Sequence, residues 1–328
     1  MVESPLISVI IPFVNHESHI ENAYSWMQKQ SLLDWELLFI DNGATDNSRS
    51  IADSISGVDQ RVRVVDQSTK GIAPARNKGL EEARGKYVSF LDVDDHFHPE
   101  KLEKLSRIME RYPEVGMAFG KTERIYLGTD KVVIQDWGVA RKGVNAPPDL
   151  AIDWATNFYR LPQTGATLVR TDVARAVGGF PEDMTLGNDD VGWHIEIALR
   201  YPIYFHPEVV VHYYRHQKSE GARLNQAVLV EQRYLDAHLR YTHPRGLRWK
   251  KEMKDPALLA RSEKGITGNV ISLIRKGREI PPLPPSLHPY YRRVIRFHQD
   301  RPFRWANLYF KVTRRFRALF QPDRFPLR

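Results

Sequence analysis

Apolar and polar positions alternate along the first part of the chain in a repeating order of strand and helix. The nearly continuous apolar run Ile7–Phe13 predicts a strand that is buried on both faces. Apolar positions then recur at intervals of three and four residues from Ile20 to Met27, which predicts an amphipathic helix over residues 17–30. The same reasoning predicts strands at 36–40, 62–65 and 87–91, a helix capped by Asp46 or Ser48, and helices over 71–84 and from 98 to about 111.

Strands and helices in this order indicate an α/β fold with a mostly parallel, Rossmann-type sheet that is flanked by helices. In an open sheet of this kind, ligands bind at the carboxyl ends of the strands. Three predicted strand ends carry amide or carboxylate groups, namely Asn15, Asp41-Asn42 and Asp92-Val93-Asp94-Asp95. The sequence therefore predicts a polar ligand site along this edge of the sheet.

The alternation is looser after residue 115 and ends beyond Gln217. The elements predicted there are strands at 115–119, 131–134 and 165–169, a helix at 171–177, and a helix from Asp189-Asp190 to Arg200. Residues 221–328 lack buried-strand runs and are rich in Arg, Lys and aromatic residues. We therefore expect one domain over residues 1–220, with halves at 1–105 and 106–220, and a basic, proline-containing, mainly helical C-terminal extension over 221–328.

The composition is that of a globular protein that attracts anions. Of the 328 residues, 42% are hydrophobic and 27% are charged, which is ordinary for a folded chain. The absence of cysteine excludes disulfides and thiolate metal sites, and a formal net charge of +8 favours anionic ligands. Residues 1–5 do not resemble a signal peptide, and no apolar run approaches the roughly 20 residues of a membrane span. We expect a cytoplasmic protein, either soluble or peripheral at the inner face of a membrane.

The segment Asp92–Asp95 places three carboxylates within four residues at a strand end. Such carboxylates repel one another unless a cation lies between them. Mg²⁺ or Mn²⁺, which prefer oxygen ligands, would relieve the repulsion and also accept substrate phosphate oxygens. The alternative interpretation is an acidic loop that precedes the N-terminus of the next helix, where negative charge is favoured.

Four segments of the chain resemble glycosyltransferase family 2. They are ISVIIPFVN, WELLFIDNGATDNS, STKGIAPARNKGLEEARGKYVSFLDVDD and GGF…NDDVGWHIEIALR. Their order and spacing are similar to the nucleotide-binding half and the acceptor half of that family's GT-A fold, over residues 5–220. The resemblance implies a GT-A-like domain that binds a nucleotide-sugar and transfers the sugar with inversion.

The resemblance and the polar strand ends together imply a donor site formed by Pro12, Asn15, Asp41, Asn42, Arg76, Asp92 and Arg215. Asp41 and Asn42 match the positions that bind the base and ribose of a uridine-type donor, although most relatives have an aspartate in place of Asn42. For Asp41 the alternative is a loop-turn role. A guanidinium at Arg76 is suited to bind either phosphate or the acidic cluster.

The same resemblance implies a metal site formed by Asp94, Asp95 and His216, with Mn²⁺ or Mg²⁺ as the cofactor. It also implies that Asp190 removes the proton of the acceptor hydroxyl, while Asp189 orients the base or the acceptor. For the two aspartates the alternative is helix capping. For His216 the alternative is a structural role.

Tryptophans could contribute to the acceptor site. Trp137, Trp154 and Trp193 are candidates for stacking on an acceptor sugar, and a role in the core is the commoner alternative. The Gln-X-X-Arg-Trp motif of processive synthases is absent, with only a partial match at Leu247-Arg248-Trp249. We therefore expect transfer of a single sugar.

Residues 305–320 carry aromatic and aliphatic residues at helical spacing, with arginines and lysines between them. This pattern is typical of an interfacial membrane helix, which would bring the protein to a lipid-linked acceptor. The alternative is a helix that packs its apolar stripe on the catalytic domain. Nucleic-acid binding is not expected, because no recognised module accompanies the positive charge.

The function predicted from the sequence is metal-dependent transfer of one sugar from a nucleotide-sugar, expected to be a UDP-sugar, to a hydroxyl of a glycan or lipid-linked acceptor, in surface polysaccharide or glycoconjugate synthesis. Two alternatives stay open. A sugar-phosphate nucleotidyltransferase would need a glycine-rich loop after the first strand, and residues 14–17 do not provide one. The second alternative is a non-catalytic protein that binds sugar nucleotides or glycans. It stays open because Asn42 and Asp189 depart from the family pattern.

Overall fold

The computed structural model describes residues 4–135, 138, 140–156, 160–184, 189–215 and 244–253. The chain divides into two units, Met1–Arg223 and Leu224–Arg328. Within its described residues, the first unit contains a ten-stranded sheet with flanking helices. The described part of the second unit is one helix, Pro244–Met253, in which Trp249 is buried.

The described residues form ten strands and eight helices. The strands are β1 (Ile7–Phe13), β2 (Trp35–Asp41), β3 (Val62–Asp66), β4 (Tyr87–Phe90), β5 (His96–Phe97), β6 (Met117–Tyr126), β7 (Val132–Ile134), β8 (Gly143–Asn145), β9 (Thr167–Arg170) and β10 (Ile203–Arg215). The helices are α1 (Ile20–Gln28), α2 (Ser48–Val58), α3 (Ile72–Glu82), α4 (Lys101–Arg111), α5 (Asp149–Thr156), α6 (Thr171–Ala176), α7 (Asp189–Arg200) and α8 (Pro244–Met253), and a 3-10 helix spans Thr164–Ala166. Within these ranges, no helix is both long and apolar enough to cross a membrane.

The strands form one mixed sheet in the order β3-β2-β1-β4-β9-β6-β10-β5, with β7 beside β6 and β8 beside β10. Within the group β1 to β4, each pair of adjacent strands is parallel. Strand β9 runs antiparallel to both β4 and β6, and β10 is parallel to β6. The carboxyl ends of β1, β2, β4, β6 and β10 therefore point toward the same edge of the sheet.

The centre of the sheet is buried on both faces. Every residue of β1 and β2 is buried, as their continuous apolar runs predict for strands covered by helices on each side. Helix α3 lies close against β1, because a Cβ atom added to Gly79 would lie 2.3 Å from Cγ2 of Ile10. A glycine at this position is therefore what permits the observed distance between helix and strand.

Strand β7 has a different environment from the central strands. Its three side chains, Val132, Val133 and Ile134, are 53%, 37% and 51% exposed. Within the described residues, β7 pairs only with β6, through Glu123–Ile125. The strand therefore leaves an apolar edge in contact with solvent.

The structure confirms the predicted α/β class and the mostly parallel sheet, to which β5, β7, β8 and β9 add antiparallel strands. One local prediction was wrong. Helix α2 begins at Ser48 with Asn47 at its cap position, not Asp46 or Ser48. Asp46 still contributes, because its Oδ1 accepts a hydrogen bond from the N–H of Ser48 at 3.0 Å. Strands β5, β8 and β10 and helix α5 were not predicted.

Candidate active site

The acidic segment Asp92–Asp95 forms a tight turn just beyond the carboxyl end of β4. The N–H of Asp95 donates to the carbonyl oxygen of Asp92 at 2.9 Å. Asp95 is buried, and its Oδ1 accepts a hydrogen bond from the N–H of Tyr214 in β10 at 3.2 Å. The Asp92 side chain is 44% exposed. The turn therefore holds Asp95 against β10 and presents Asp92 at the surface.

Negative charge accumulates in this turn. Burial raises the pKa of Asp95 well above its ordinary value, and the carboxylates of Asp92 and Asp94 raise it further. Among the described residues, no group of three or more His, Asp or Glu side chains is arranged to hold a metal. The carboxylates nevertheless match the chemistry of Mg²⁺, which proteins typically bind through one or two carboxylates together with substrate phosphates.

Arg76 in α3 connects the acidic turn to the start of α7. Its Nη2 donates to Oδ1 of Asp92 and its Nη1 donates to Oδ2 of Asp189, each at 2.9 Å. The side chains of Arg76 and Asp189 are only 8% and 3% exposed. The sequence left open whether Arg76 binds phosphate or the acidic cluster, and the structure shows contact with the acidic cluster.

The guanidinium of Arg76 keeps its charge in this buried position. Burial alone would lower the pKa of Arg76, but Asp92, Asp189 and Asp190 have the larger combined effect and raise it above its ordinary value. The guanidinium carbon also lies 5.3 Å from the centroid of the Phe180 ring. The guanidinium of Arg76 thus faces three acidic side chains among the described residues, those of Asp92, Asp189 and Asp190.

Asp190 lies in the first turn of α7 and is half-buried. Burial raises the pKa of Asp190 to about 7, repulsion from Asp189 acts in the same direction, and Arg76 opposes it. Its Oδ1 accepts a hydrogen bond from the N–H of Val191 at 2.7 Å. Since Asp189 is bound to Arg76, Asp190 is the carboxylate of the pair that is suited to exchange a proton near neutral pH.

His194 lies one helical turn after Asp190 and was not predicted. Its Nδ1 lies 2.7 Å from the carbonyl oxygen of Asp190, and burial lowers the pKa of the ring to about 3. The ring is therefore neutral and donates its Nδ1 proton to this carbonyl. The i, i+4 spacing is the sequence signal that could have identified it. The His194 ring packs against Trp154 and Trp193. Both tryptophans are completely buried, which favours a role in the core for each.

Asp41 ends β2 and folds its own loop. Its Oδ1 accepts hydrogen bonds from the N–H groups of Gly43 and Ala44, at 3.0 and 2.8 Å. Nη1 of Arg49 lies 3.4 Å from its Oδ2. The loop-turn role that the sequence left open is thus present, and contact of Asp41 with a nucleotide remains a prediction.

Three other predicted donor residues lie at the same edge. Pro12 is buried within β1, next to Ile40 of β2. Asn15 is exposed, and its Oδ1 accepts a hydrogen bond from the N–H of Thr45 at 2.7 Å. Asn42 is buried and hydrogen-bonds with the segment that follows β3. The loops after β1, β2 and β3 are therefore connected to one another by side-chain amides.

Some predicted residues cannot be placed in the site. Arg215 is the last residue of β10, but its side chain lies outside the described part of the chain. His216 and Trp137 also lie outside the described residues. Their proposed contacts with donor, metal and acceptor remain predictions.

Lys101, the first residue of α4, is completely buried and follows the acidic turn closely in sequence. Its Nζ donates to Oγ of Ser89 at 2.7 Å and to the carbonyl oxygen of Gly165 at 2.6 Å, and it lies 3.3 Å from the centroid of the Phe97 ring. Burial lowers the pKa of Lys101 well below its ordinary value. The residue ties β4 to the turn before β9, and no sequence pattern distinguishes it from a surface lysine.

Comparisons with known proteins agree with the resemblance in the sequence. Residues 8–144 match the model of the family described as Glycosyl transferase family 2. The chain is 38% identical over 151 residues to the proposed teichuronic acid biosynthesis glycosyltransferase TuaG of Bacillus subtilis strain 168, a match that covers 45% of this chain and 56% of that protein. It is 42% identical over 106 residues to an uncharacterized glycosyltransferase of Haemophilus influenzae, covering 32% of this chain and 42% of that protein. The match thus spans about half the length of these curated relatives.

Solved structures show the same fold. The crystal structure of S. aureus TarS 1-349 in complex with UDP-GlcNAc has a TM-score of 0.57 and 15% sequence identity, and the match covers 82% of each chain. The mannosyltransferase PcManGT from Pyrobaculum calidifontis in complex with GDP-Man and Mn²⁺ has a TM-score of 0.53 and 17% identity, with 90% of this chain and 85% of that chain covered. At such identities the likeness concerns the fold. The family match therefore identifies residues 8–144 as a glycosyltransferase family 2 domain, and the similar structures share its GT-A fold.

Proposed function

We propose that the chain is an inverting glycosyltransferase that moves one sugar from a UDP-sugar to a hydroxyl of a glycan or lipid-linked acceptor. The observation that carries this proposal is the bridge from Asp92 through Arg76 to Asp189. Through this bridge, one guanidinium contacts both the turn that is predicted to bind the donor and the helix that carries Asp190. A donor site and a base in one place are what direct transfer requires.

In the proposed reaction, an acceptor hydroxyl oxygen attacks the anomeric carbon of the sugar while the bond from that carbon to the diphosphate breaks on the opposite side. Asp190 receives the hydroxyl proton, and the nucleoside diphosphate leaves with the bonding electrons. A base with a pKa of about 7 is partly deprotonated at neutral pH and still basic enough to take the proton. Arg76 offsets part of the repulsion that Asp189 exerts on the ionised form of Asp190.

A divalent cation is part of this proposal. Asp94 and Asp95 would hold Mn²⁺ or Mg²⁺, with His216 as a further ligand and donor phosphates completing the coordination. When bound, the cation would supply positive charge that stabilises the diphosphate. The support is the carboxylate chemistry of the turn, the charge repulsion that raises the pKa of Asp95, and the Mn²⁺ in the similarly folded mannosyltransferase.

The relatives support the choice of donor and product class. TarS is in complex with UDP-GlcNAc and with UDP in two of the similar structures, and TuaG is named for teichuronic acid biosynthesis. We therefore place this chain in the synthesis of a surface polysaccharide or related glycoconjugate. Since PcManGT holds GDP-Man, a screen of donors must include guanosine nucleotides.

The decisive experiment is a donor-hydrolysis and transfer screen. The full chain is incubated with UDP-sugars and GDP-sugars, with and without Mn²⁺, and release of the nucleoside diphosphate is measured. We expect release from at least one UDP-sugar that depends on Mn²⁺. Release from none of the donors would contradict the proposed function, and release that is equal without the cation would contradict its metal dependence.

Contact with a membrane belongs to the same proposal, since a lipid-linked acceptor lies at a bilayer. Residues 305–320, which would provide this contact, lie outside the described residues. The full chain is expected to pellet with anionic liposomes, and a chain truncated near residue 300 is not. Equal pelleting of the two proteins would favour packing of this segment on the catalytic domain.

A further inference from the structure

Asn42 uses its whole amide group to hold the segment that connects β3 to α3. Its Nδ2 donates to the carbonyl oxygens of Thr69 and Gln67, at 2.7 and 3.3 Å. Its Oδ1 accepts a hydrogen bond from the N–H of Gly71 at 2.8 Å. Asn42 is 7% exposed, whereas Thr69 and Gly71 are exposed, so these bonds are partly shielded from water. Both amide protons are used within the protein, and none is left to donate to a nucleobase.

The segment held by Asn42 leads directly to the centre of the site. Gly71 has a φ of +133°, a conformation that side chains disfavour, and it occupies the cap position of α3. Arg76 lies in the second turn of that helix and contacts Asp92 and Asp189. At its other end, the segment is joined to β2 because the N–H of Gln67 donates to the carbonyl oxygen of Asp41 at 2.8 Å.

The geometry points to Asn42 as a positioning residue that acts on nucleotide binding through the 67–71 segment, and not as a residue that contacts the base. This inference rests on the proposed function, because it assumes that the edge beside Asp41 receives the nucleotide. Through its hydrogen bonds to residues 67–71, Asn42 holds both the segment beside that edge and the start of α3. Loss of the amide protons should therefore loosen the segment and weaken nucleotide binding, while the chemical step at saturation changes little.

Asn42→Asp tests the inference with almost no change in shape. An aspartate can still accept the hydrogen bond from Gly71, but it has no protons for the carbonyl oxygens of Gln67 and Thr69 and places a negative charge beside them. A buried acceptor without a donor is destabilising. If Asn42→Asp fails to fold, Asn42→Ala removes the same amide without adding a charge and serves as the second variant.

The chain contains a matched control in Asn145 of β8. Its Nδ2 donates to the carbonyl oxygens of Arg141, Gly143 and Ile203, at 2.8, 3.0 and 3.4 Å, and its Oδ1 accepts from the N–H of Arg141 at 3.0 Å. It is 9% exposed, similar to Asn42. Asn145→Asp therefore breaks a similar set of amide hydrogen bonds in β8, which pairs with the start of β10 outside the candidate site. We expect it to lower the melting temperature about as much as Asn42→Asp does.

The experiment compares the full-length wild type with the two variants. We measure the affinity for UDP in the presence of Mn²⁺ by calorimetry, and the hydrogen exchange of residues 67–72 by mass spectrometry. Asn42→Asp should weaken UDP binding about tenfold and speed exchange in this segment about tenfold, with kcat for transfer within about threefold of wild type. Asn145→Asp should change none of these quantities.

Two results would overturn the inference. Weaker UDP binding with unchanged exchange at residues 67–72 would mean that Asn42 contacts the nucleotide itself. Faster exchange with unchanged UDP binding would mean that the segment is not part of the nucleotide site. A wild-type protein that bound neither UDP nor GDP would instead contradict the proposed function, and the inference that rests on it.

Discussion

The two halves of the sheet domain bring carboxylates to the same edge in different ways. From β1 to α4, parallel strands alternate with helices, and the acidic turn follows β4 in sequence. From β6 to β10, antiparallel strands intervene, and the pair Asp189-Asp190 begins a helix. The first half leaves Asp92 44% exposed, whereas the second leaves the Asp189 side chain 3% exposed. Asp92 in the regular half is thus accessible, although Asp95 in the same turn is buried, and Asp189 in the irregular half is buried.

This comparison assigns different chemistry to the two sides of Arg76. The exposed carboxylate of Asp92 is accessible to a cation from solution. A buried pair raises the pKa of one member, so that Asp190 can take up a proton near neutral pH. In the proposed function, the guanidinium of Arg76 therefore lies between the donor-binding side and the proton-transfer side.

Asp190→Asn is expected to have the largest effect on the reaction. Asparagine fills the same space but cannot accept a proton, so kcat should fall about 10²–10⁴-fold while UDP affinity stays within about twofold. Single-turnover transfer and calorimetry measure the two quantities. Asp172→Asn in α6 is the control, because the Oδ1 of Asp172 also accepts the N–H of the following residue, at 2.8 Å. Normal transfer by the Asp190 variant would place the base elsewhere.

Arg76→Met should cause the largest loss of stability, about 3–5 kcal/mol in the free energy of unfolding, because it leaves the buried Asp189 without a partner. Adding Asp189→Asn should recover part of this loss but not the transfer activity. Urea denaturation of both proteins measures the recovery. A double variant as unstable as Arg76→Met would show that the charge of Asp189 is not the cause.

Arg63→Met provides the comparison for that prediction. Arg63 also contacts two carboxylates, those of Glu36 and Glu82 at 3.1 and 3.5 Å, but its side chain is 25% exposed. Because Glu36 keeps its hydrogen bonds from Oγ of Ser8 and the N–H of Arg84, and Glu82 is 33% exposed, the loss should be limited to about 1 kcal/mol, with transfer unchanged. Equal losses for Arg63→Met and Arg76→Met would contradict the distinction between the two sites.

Gly79→Ala should destabilise the regular half by about 1–3 kcal/mol, because its Cβ would lie 2.3 Å from Cγ2 of Ile10 and force α3 away from β1. Val132→Thr in the exposed β7 should change the free energy of unfolding by less than about 0.5 kcal/mol. Thermal and urea unfolding test both. A neutral Gly79→Ala variant would mean that the packing of α3 on β1 can relax.

The effect of one pH unit on the reaction is expected to be smaller than that of Asp190→Asn. Since Asp190 must be ionised to act as a base, kcat/KM should fall about tenfold per unit below pH of about 7 and level off above it. Stability should change in the opposite direction. Between its ordinary pKa and about 7, the folded chain holds a proton that the unfolded chain has released, so the free energy of unfolding falls as pH rises through this window. The Asp190→Asn variant should lack this component, and a flat activity profile would argue against Asp190 as the base.

The sequence predicted the regular half well because its signals are local. Continuous apolar runs and helical periodicity identify β1 to β4 and the helices between them, and each strand end marks part of the site. Strand β10 was not predicted because Pro207 interrupts its apolar pattern in the sequence. Its pairing with β6 also shifts register between Phe205 and Val211. The interaction of Arg76 with Asp189 joins residues 113 positions apart, so no window of sequence could contain it. The pKa of Asp190 depends on burial, which only the folded chain defines.

The position of β9 has a consequence for making fragments of this protein. The family match ends at residue 144, yet β9 at Thr167–Arg170 lies between β4 and β6 in the sheet. A fragment cut at that point would expose an edge of β4 and of β6 to water and would also lack β10 and α7. An expression boundary drawn from the family match alone would therefore divide one folding unit, and a soluble fragment of the first unit should extend at least through Arg215.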